Sequence, residues 1–354
     1  MTGFKSKKAI AFALIPLLML VMIVIIFCMV NGGGKASLTA ASTSKLRFDP
    51  DREKDSVNYE QLAKISGPVP DARKRYRIGA VLKFFGNRYW QLMADGMQFR
   101  ADELNMEIDV RAAASESDPD GQLAILEAMI AKGYDALLLS PQTDINLLRA
   151  VRKAREAGIL IINVNDAVLE DAEHWVGPNQ YENGVSAAGY IVRSMPQGGK
   201  VAVIRGLEGV YSVKQRTLGF TDTLKGTGIE VVANTDCSWD LQAALKAASQ
   251  LIHDHPDIKG FYCNNDIMAL GVVEAVRKAG RMGEILIVGT DGIDSAYDSI
   301  RSGELTATVD TFPYSTGQVA MEVALRLLEG QRVPRSVYSP QQFITLEYSV
   351  NRLP

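Results

Sequence analysis

Short apolar runs that end abruptly at polar clusters restrict the fold of this chain more than any other feature. Residues 260–263 (GFYC) stop at the cluster Asn264 to Asp266, and residues 285–289 (ILIVG) stop at the cluster Thr290 to Gly292. Uninterrupted apolar runs of this length are typical of parallel strands that are covered on both faces. Ligands of such sheets bind beyond the carboxyl ends of the strands. The pattern therefore predicts an α/β fold with a binding site at the strand ends.

Alternating strands and helices continue in two series from Tyr76 onward. This alternation is typical of βαβ units, which build parallel sheets with helices on both faces. There are more strands than one sheet of this type uses, so the sequence predicts two similar lobes. The predicted strands are residues 77–82, 107–111, 136–139 and 160–164 in the first series, and 200–204, 230–234, 260–262, 286–288 and 305–309 in the second.

The composition excludes several classes of function. The formal net charge of the 354 residues is −3, so no basic excess indicates a nucleic-acid partner. The three histidines, His174, His253 and His255, offer no arrangement of nucleophile, base and orienting group, and the cysteines have no metal-ligand spacing. We therefore predict a protein that is not an enzyme and uses no catalytic residue, cofactor or metal. Cys237 and Cys263 could form a disulfide, but structural thiols are the expected state.

The N-terminus, residues 1–30, is a candidate membrane segment. Lysines at positions 5, 7 and 8 precede an apolar run from Ala9 to Val30, interrupted only by Pro16. The run has 22 residues, more than the roughly 7 to 15 of a signal-peptide core and enough to span a bilayer as a helix. The preferred interpretation is an uncleaved anchor whose N-terminus the lysines hold in the cytoplasm.

Two other interpretations of the N-terminus stay open. Cys28 could carry a lipid, although the bulky Phe27 before it disfavours this, and a signal peptide could be cleaved near Ala40 or Ala41. All three interpretations place the protein at the extracytoplasmic face of the cell membrane, in the periplasm or on the surface of a Gram-positive cell. Residues 31–75 are rich in Gly, Ser, Thr and charge, which predicts a flexible stalk because little apolar surface offsets the entropy of ordering.

Polar and aromatic side chains follow nearly every predicted strand. Aromatic rings beside hydrogen-bonding groups suit a sugar, which has C–H faces to stack and hydroxyls to satisfy. Singly, each residue has a simpler explanation: Asp291 could belong to a turn, and Arg216 could lie on a solvated helix face. A polar group after nearly every strand is more than turns require, so we predict one joint site. Its members are Lys83, Asn87, Tyr89, Trp90, Ser140, Asn165, Asp166, Arg216, Trp239, Asn265 and Asp291.

Three separated stretches resemble the periplasmic sugar-binding proteins of the ribose and allose type: LKFFGNRYWQLMADGM, YCNNDIMALGVVEAVRKAGRMGEILIVGTDG and GELTATVDTFP. The likeness covers residues 77–346 and is nearer to the allose-binding branch, whose first strand also runs into Leu-Lys. It implies that Lys83 and Asn87 bond sugar hydroxyls while Tyr89 and Trp90 stack on one ring face.

The resemblance also implies roles for residues of the second lobe. Trp239 would close on the opposite face of the sugar, and Arg216 would donate a bidentate pair of hydrogen bonds. Asn265 and Asp291 would bond adjacent hydroxyls.

Two positions depart from the family pattern. Asn165-Asp166 stands where the allose branch has two acids and the ribose branch has Asp-Arg. Thr311, which the resemblance adds to the predicted site as its twelfth member, stands where both usually have Gln. The first departure changes local charge and hydrogen-bond polarity. The resemblance therefore implies the ligand class but leaves the identity of the sugar open.

The fold that the resemblance implies is that of a type I periplasmic binding protein, with a hinge of three segments. The chain should cross between lobes near residues 177–179, 311–312 and 338–340, and closure about these crossings would bury the sugar. The N-terminal lobe would comprise residues 76–178 plus 312–338, and the C-terminal lobe residues 179–311 plus 339–354. Repressors of sugar operons share this fold but begin with a helix-turn-helix, where this chain has its apolar run.

The predicted function is extracytoplasmic binding of a monosaccharide, an allose- or ribose-like aldohexose pyranose, as the substrate-binding component of an ABC importer. The alternative is a sensor, in which an anchored sugar-binding module signals to a membrane histidine kinase. The predicted partners are thus the sugar, an ABC permease or a histidine kinase, and the membrane through the N-terminal helix. Neighbouring genes for a permease or for a kinase would distinguish the two functions.

Overall fold

Residues 48–351, which are the residues that this computed structural model describes, form two β-sheets flanked by helices. The two-lobed α/β fold predicted from the sequence is confirmed. The strands are β1 Ser56–Asn58, β2 Arg77–Phe84, β3 Glu107–Ala113, β4 Ala136–Leu139, β5 Leu160–Val164, β6 Trp175–Gly177, β7 Gly199–Arg205, β8 Ile229–Asp236, β9 Ile258–Cys263, β10 Leu286–Asp291, β11 Ala307–Asp310, β12 Ser336–Tyr338 and β13 Gln342–Thr345.

Eleven α-helices connect these strands within the described residues, in addition to a 3-10 turn at Pro50–Arg52. The helices are α1 Tyr59–Ser66, α2 Arg88–Glu103, α3 Pro119–Ile130, α4 Leu148–Glu156, α5 Gln180–Ser194, α6 Tyr211–Leu224, α7 Leu241–Asp254, α8 Asp266–Lys278, α9 Asp294–Arg301, α10 Pro313–Leu328 and α11 Leu346–Asn351.

The first sheet has the order β1-β12-β6-β5-β4-β2-β3, and all of its pairings are parallel. The second has the order β13-β11-β10-β9-β7-β8 and is parallel except for β13, which runs antiparallel to β11. Each sheet with its helices is called a lobe below. Because all the central strands are parallel, their carboxyl ends lie at one edge of each sheet.

Continuous burial of the central strands explains their apolar runs. Every residue of β4 is fully buried, and so are Ile78, Ala80, Val81 and Leu82 of β2. Helices cover both faces of the sheet, so side chains on either side of the pleat leave water. The apolar runs that predicted these strands are therefore explained by burial on both faces of the sheet.

A glycine on each of two helices lets α2 and α10 pack closely in the first lobe. A methyl group added at Gly96 would overlap the carbonyl oxygen of Tyr314, and one at Gly317 would overlap that of Met93. Only glycine permits such an approach of two backbones. This contact ties α10, which follows β11 of the second sheet in sequence, to the first lobe.

The chain passes between the sheets three times. The passages lie between β6 and α5, between β11 and α10, and between β12 and β13. These segments coincide with the crossings that the resemblance implied. Phe312, in the second passage, has a left-handed backbone with φ of 43°.

The predicted stalk is wrong for residues 48–75. β1 pairs in parallel with β12, with Ser56 opposite Ser336, and α1 buries Leu62 completely. Phe48 and Val57 are also buried. The apolar residues of this segment are few and widely spaced. The composition of the segment as a whole therefore did not indicate that it folds. Residues 31–47 of the predicted stalk lie outside the described residues.

The strands β6, β12 and β13 were not predicted, because each has only three or four residues and, unlike β4, none is a continuous run of aliphatic residues. Within the described residues Cys237 and Cys263 are buried and unbridged, in agreement with their prediction as structural thiols.

Between residues 48 and 351, no helix is long and apolar enough to cross a bilayer. The predicted anchor at residues 9–30, the lipid site at Cys28 and the cleavage sites near Ala40 and Ala41 all lie outside the described residues.

Candidate functional site

Loops from the carboxyl ends of both sheets line one cleft between the lobes. The cleft comprises about 220 Å³ of space that is partly open to solvent. Eight of the twelve predicted site residues line it, together with Glu116, which was not predicted. The lining residues are Asn87, Tyr89, Trp90, Glu116 and Asp166 from the first lobe, and Arg216, Trp239, Asn265 and Asp291 from the second.

The lobes touch each other across this cleft. The backbone N–H of Ser212 donates to the Asp166 carbonyl at 3.0 Å, and that of Tyr211 donates to Asp144 Oδ1 at 3.2 Å. At the rim, Arg88 Nε lies 3.3 Å from Asp294 Oδ2. The structure therefore has the closed arrangement of the two lobes.

Lys83 is buried against Asp166 rather than exposed in the cleft. Its Nζ donates to Asp166 Oδ2 at 2.8 Å and lies 5.5 Å from the ring centroids of both Trp90 and Trp239. Burial opposes ionisation of Asp166, but the charges of Lys83 and Arg216 outweigh it and hold the Asp166 pKa below its usual value. Lys83 thus links a carboxylate to the two indole rings that face the ligand space.

Arg216 is the centre of a buried network between the lobes. Its Nε donates to Gln180 Oε1 at 2.7 Å, and its Nη1 donates to the Asn264 carbonyl. Nη2 lies 3.4 Å from Asp166 Oδ1, and Nη1 lies 3.6 Å from Asp291 Oδ1. With only 1% of its surface exposed, the guanidinium joins a carboxylate of each lobe. A bidentate pair of hydrogen bonds from Arg216 to a sugar would have to use N–H groups that already face these protein partners.

Asp291 lies at the end of β10 with a φ of 137°, a backbone conformation that L-residues rarely adopt. Its carbonyl accepts from the N–H of Thr311 at 3.1 Å. Burial raises the pKa of its carboxyl well above the usual value, Arg216 lowers it, and the nearby carboxylates of Asp266, Asp166 and Glu116 raise it further. This carboxyl consequently accepts a proton more readily than an exposed aspartate.

Tyr89, Thr311 and Asn165 form a support beneath the cleft. The Tyr89 hydroxyl lies 3.1 Å from Thr311 Oγ1 and accepts from Asn165 Nδ2 at 2.9 Å. Asn165 Oδ1 in turn accepts from Gln180 Nε2 at 3.2 Å. Neither Asn165 nor Thr311 lines the cleft. In this closed structure both are placed to hold Tyr89.

The rings of Tyr89 and Trp90 meet edge to face, with centroids 5.1 Å apart and planes inclined by 80°. Two planes so inclined cannot both lie flat on one face of a sugar ring. At most one of the two rings can therefore stack as the resemblance implied.

Two predicted amides also cap helices. Asn87 Oδ1 accepts from the N–H of Tyr89 at 3.0 Å at the start of α2, and Asn265 Oδ1 accepts from the N–H of Met268 at 2.9 Å at the start of α8. Within the described part of the chain, the amide nitrogen of Asn265 makes no hydrogen bond, which leaves it for a ligand.

Ser140 does not line the cleft. Its carbonyl accepts from Gln122 Nε2 at 2.9 Å, and its hydroxyl is buried without a hydrogen-bond partner among residues 48–351.

Glu116 is the cleft residue that the sequence analysis missed. Its Oε1 accepts from Asn87 Nδ2 at 2.9 Å and from the indole N–H of Trp90 at 3.0 Å. It belongs to the polar segment Ser115 to Asp118, which follows β3. The rule that identified the other residues, a polar group after each strand, would have identified this one.

The fold and the cleft define a two-lobed ligand-binding protein, and comparisons with known proteins agree. Residues 78–332 match the model of the family described as "Periplasmic binding protein domain". The chain is 32% identical to the D-ribose/D-allose-binding protein of Pseudomonas aeruginosa, over 77% of this chain and 88% of that protein. It is 33% identical to the D-allose-binding periplasmic protein of Escherichia coli, over 69% of this chain and 81% of that protein.

A solved structure provides the same comparison in three dimensions. It is an ABC transporter periplasmic solute-binding protein from Actinobacillus succinogenes with bound D-allose, and it is 28% identical with a TM-score of 0.75. The match covers 78% of this chain and all of that one. This chain therefore belongs to the type I periplasmic sugar-binding proteins of the ribose and allose family. Proteins of this family bind sugars for transport, are not enzymes and act outside the cytoplasm.

Proposed function

We propose that this protein captures an aldohexose pyranose, allose- or ribose-like, between its lobes and delivers it to an ABC importer. The observation that carries the proposal is the chemistry of the cleft, which combines two indole rings with carboxylates, amides and a guanidinium. Flat apolar rings suit the C–H faces of a pyranose, and the polar groups suit its hydroxyls. Relatives named for D-ribose and D-allose support the same ligand class.

In this proposal Trp239 stacks on one face of the sugar and the indole of Trp90 or the ring of Tyr89 borders the other. Asp291 and the amide nitrogen of Asn265 bond hydroxyls from the second lobe. Glu116 uses one carboxylate oxygen within the protein and offers the other to the ligand. Lys83 and Arg216 keep Asp166 ionised and position it.

A thermal-shift and calorimetry panel of pentoses, hexoses, ketoses and sugar alcohols tests the proposal on the full chain purified in detergent. A true ligand at a hundredfold excess over its Kd should stabilise the protein by about 2.7 kcal/mol. Chromatography of the recovered sugar should show it unaltered. Absence of any shift across the panel, or formation of a product, would contradict the proposal.

We also propose that residues 9–30 are an uncleaved membrane anchor. The support is the length of the apolar run and the bulky Phe27 before Cys28. Mass spectrometry of the protein from its native membrane tests this directly. A mature chain that begins at a lipidated Cys28, or near Ala41, would exclude the anchor.

The apolar run also favours a second candidate function, a sugar sensor. An importer works with a binding protein that is either free or tethered, so it does not require an uncleaved helix. A sensor does use such a helix, which would transmit the open or closed state of the lobes to a histidine kinase. Co-purification from native membranes distinguishes the two, because a permease with its ATPase supports the importer and a kinase supports the sensor.

A further inference from the structure

Residues Phe48–Arg52, called the strap here, bridge the two lobes at one side of the hinge. The match to the family model begins at residue 78, so the strap and β1 precede the matched segment. Among the described residues the strap is the first part of the chain, and it leads directly into β1 of the first sheet.

The strap binds the second lobe through two helix starts. The Tyr211 hydroxyl, at the beginning of α6, donates to Asp49 Oδ1 at 2.6 Å and accepts from the N–H of Asp51 at 3.1 Å. The N–H of Tyr181, in the first turn of α5, donates to Asp51 Oδ2 at 3.0 Å. N–H groups of a first helical turn have no partner within the helix and favour negative charge. Asp51 is at such a position, whereas Asp49 holds the second lobe through the side-chain hydroxyl of Tyr211.

The strap is fixed to the first lobe by different contacts. The Phe48 ring is 4% exposed, and the Arg335 guanidinium carbon lies 3.9 Å from its centroid. The Tyr338 hydroxyl, at the end of β12, donates to the Pro50 carbonyl at 2.5 Å. The following strand β1 is hydrogen-bonded to β12. These contacts belong to the first lobe and to its boundary with the hinge.

Opening of the cleft would move α5 and α6 relative to the first sheet, because both helices follow the first passage between the sheets. The strap remains with the first sheet through β1, so its bonds to Tyr181 and Tyr211 can persist only if the lobes stay close. We propose that the strap is a clasp that stabilises the closed arrangement. It contributes to closure independently of any ligand in the cleft.

Paired spin labels test the clasp in sugar-free protein. Cysteines at the exposed residues Gln98 of the first lobe and Lys246 of the second would carry the labels, in the full chain with Cys28→Ser. The native Cys237 and Cys263 are buried and should not react. Electron–electron resonance then gives the distribution of distances between the lobes. Because no sugar is added, the result does not depend on the proposed ligand.

Two variants loosen the clasp and one controls for it. Tyr211→Phe and Asp49→Ala should each raise the ratio of open to closed protein by about tenfold, as expected for loss of a charge-assisted hydrogen bond. Tyr134→Phe is the matched control, because the Tyr134 hydroxyl donates to Asp109 at 2.8 Å wholly within the first lobe. Tyr134 and Tyr211 are 7% and 6% exposed.

Opening in both clasp variants but not in Tyr134→Phe supports the proposal, with circular dichroism confirming that the variants fold. The Asp49 side chain is 29% exposed, so its substitution should be tolerated even if Tyr211→Phe does not fold. Parental distances in Asp49→Ala, equal opening in the control, or a parent that is fully open without sugar would overturn it.

Discussion

Asp291 and Glu116 line the cleft from opposite lobes, and their environments differ. Asp291 is 5% exposed and lies 3.6 Å from the Arg216 guanidinium, which compensates part of the cost of its burial. Glu116 is half-buried and is held by two neutral donors, an amide and an indole N–H. At the scale of single residues, these carboxyls are the groups whose removal should affect sugar binding most.

Asp291→Ala should weaken binding of the cognate sugar by about two to four decades. A charge-assisted hydrogen bond contributes roughly 1.5 to 3 kcal/mol, and two hydroxyls would lose their acceptor. Calorimetry with the best sugar of the panel measures the change. The exposed Asp298 is the control, since Asp298→Ala should bind like the parent. An affinity of Asp291→Ala within threefold of the parent would show that the site is elsewhere.

Glu116→Ala should lower the affinity by at least about tenfold, because Asn87 and the Trp90 indole lose their common acceptor. Glu116→Gln should lose less, since its carbonyl oxygen can still accept from both. Calorimetry gives the affinities, and tryptophan fluorescence reports the position of Trp90. Equal affinities of Glu116→Ala and the parent would remove this residue from the site.

Helix starts and strand ends carry nearly all of the site at the scale of elements. Asn87 and Asn265 cap α2 and α8 with one atom of the amide and turn the rest toward the cleft. Trp239 precedes α7 in a left-handed conformation, with φ of 68°, and its ring lies over Gly206 after β7. These elements fix the direction of each side chain before a ligand arrives.

Gly206→Ala should displace the Trp239 ring, because an added methyl group would overlap three of its carbon atoms. Overpacking of this kind costs about 1 to 3 kcal/mol, and we expect sugar affinity to fall at least about tenfold. Calorimetry and fluorescence measure both effects. Gly189→Ala is the control, since a methyl group there meets only Arg193 at 3.4 Å. Unchanged affinity in Gly206→Ala would mean that Trp239 does not contact the sugar.

The strap should make stability depend on pH through Asp51. Burial raises its pKa from 3.8 to about 7, hydrogen bonds from Tyr181 and Tyr211 lower it, and the charge of Asp49 raises it. Tyr338 also faces this carboxyl. Because the folded protein holds the proton more tightly, the stabilisation is complete below pH 3.8 and is lost as the pH rises through about 7.

The asparagine side chain of Asp51→Asn cannot titrate, so this variant should not lose stability through position 51 as the pH rises. Urea unfolding from pH 4 to pH 8 measures the free energy of unfolding of both proteins. The parent should lose stability relative to Asp51→Asn across this range. A difference between the two proteins that does not change with pH would contradict the raised pKa.

The whole molecule joins its lobes through three passages, the buried network of Arg216 and the strap. The strap and β1 enlarge the first lobe beyond the boundary at residue 76 that the sequence indicated. β1 covers the edge of β12, and α1 buries Leu62 completely. An uncovered edge strand exposes unpaired backbone groups and invites association.

Truncation tests this boundary. A chain that starts at residue 48 should unfold at nearly the same temperature as the full chain. A chain that starts at residue 68 should unfold roughly 10 °C lower and aggregate more readily, because it lacks Leu62 and exposes the edge of β12. Calorimetry and light scattering measure the two effects. Equal unfolding temperatures for the two truncated chains would mean that β1 and α1 add nothing to the fold.

Local patterns in the sequence were sufficient to predict the two-lobed α/β class and most of the central strands. Apolar runs such as residues 136–139 record burial on both faces, and the polar groups after them mark the strand ends that form the cleft. This is why Asp166, Trp239, Asn265 and Asp291 could be assigned to one site before their distances were known. Each of these signals is contained in a few consecutive residues.

Only the tertiary structure decided what depends on contacts between distant segments. The strands β1, β6 and β12, of three residues each, exist because each finds a partner in the sheet. Lys83 pairs with Asp166, 83 positions away, and does not line the cleft. Tyr211 bonds Asp49, 162 positions away. Such contacts produce no periodic pattern in the sequence. They stabilise the protein only after folding has brought the two partners together and buried them.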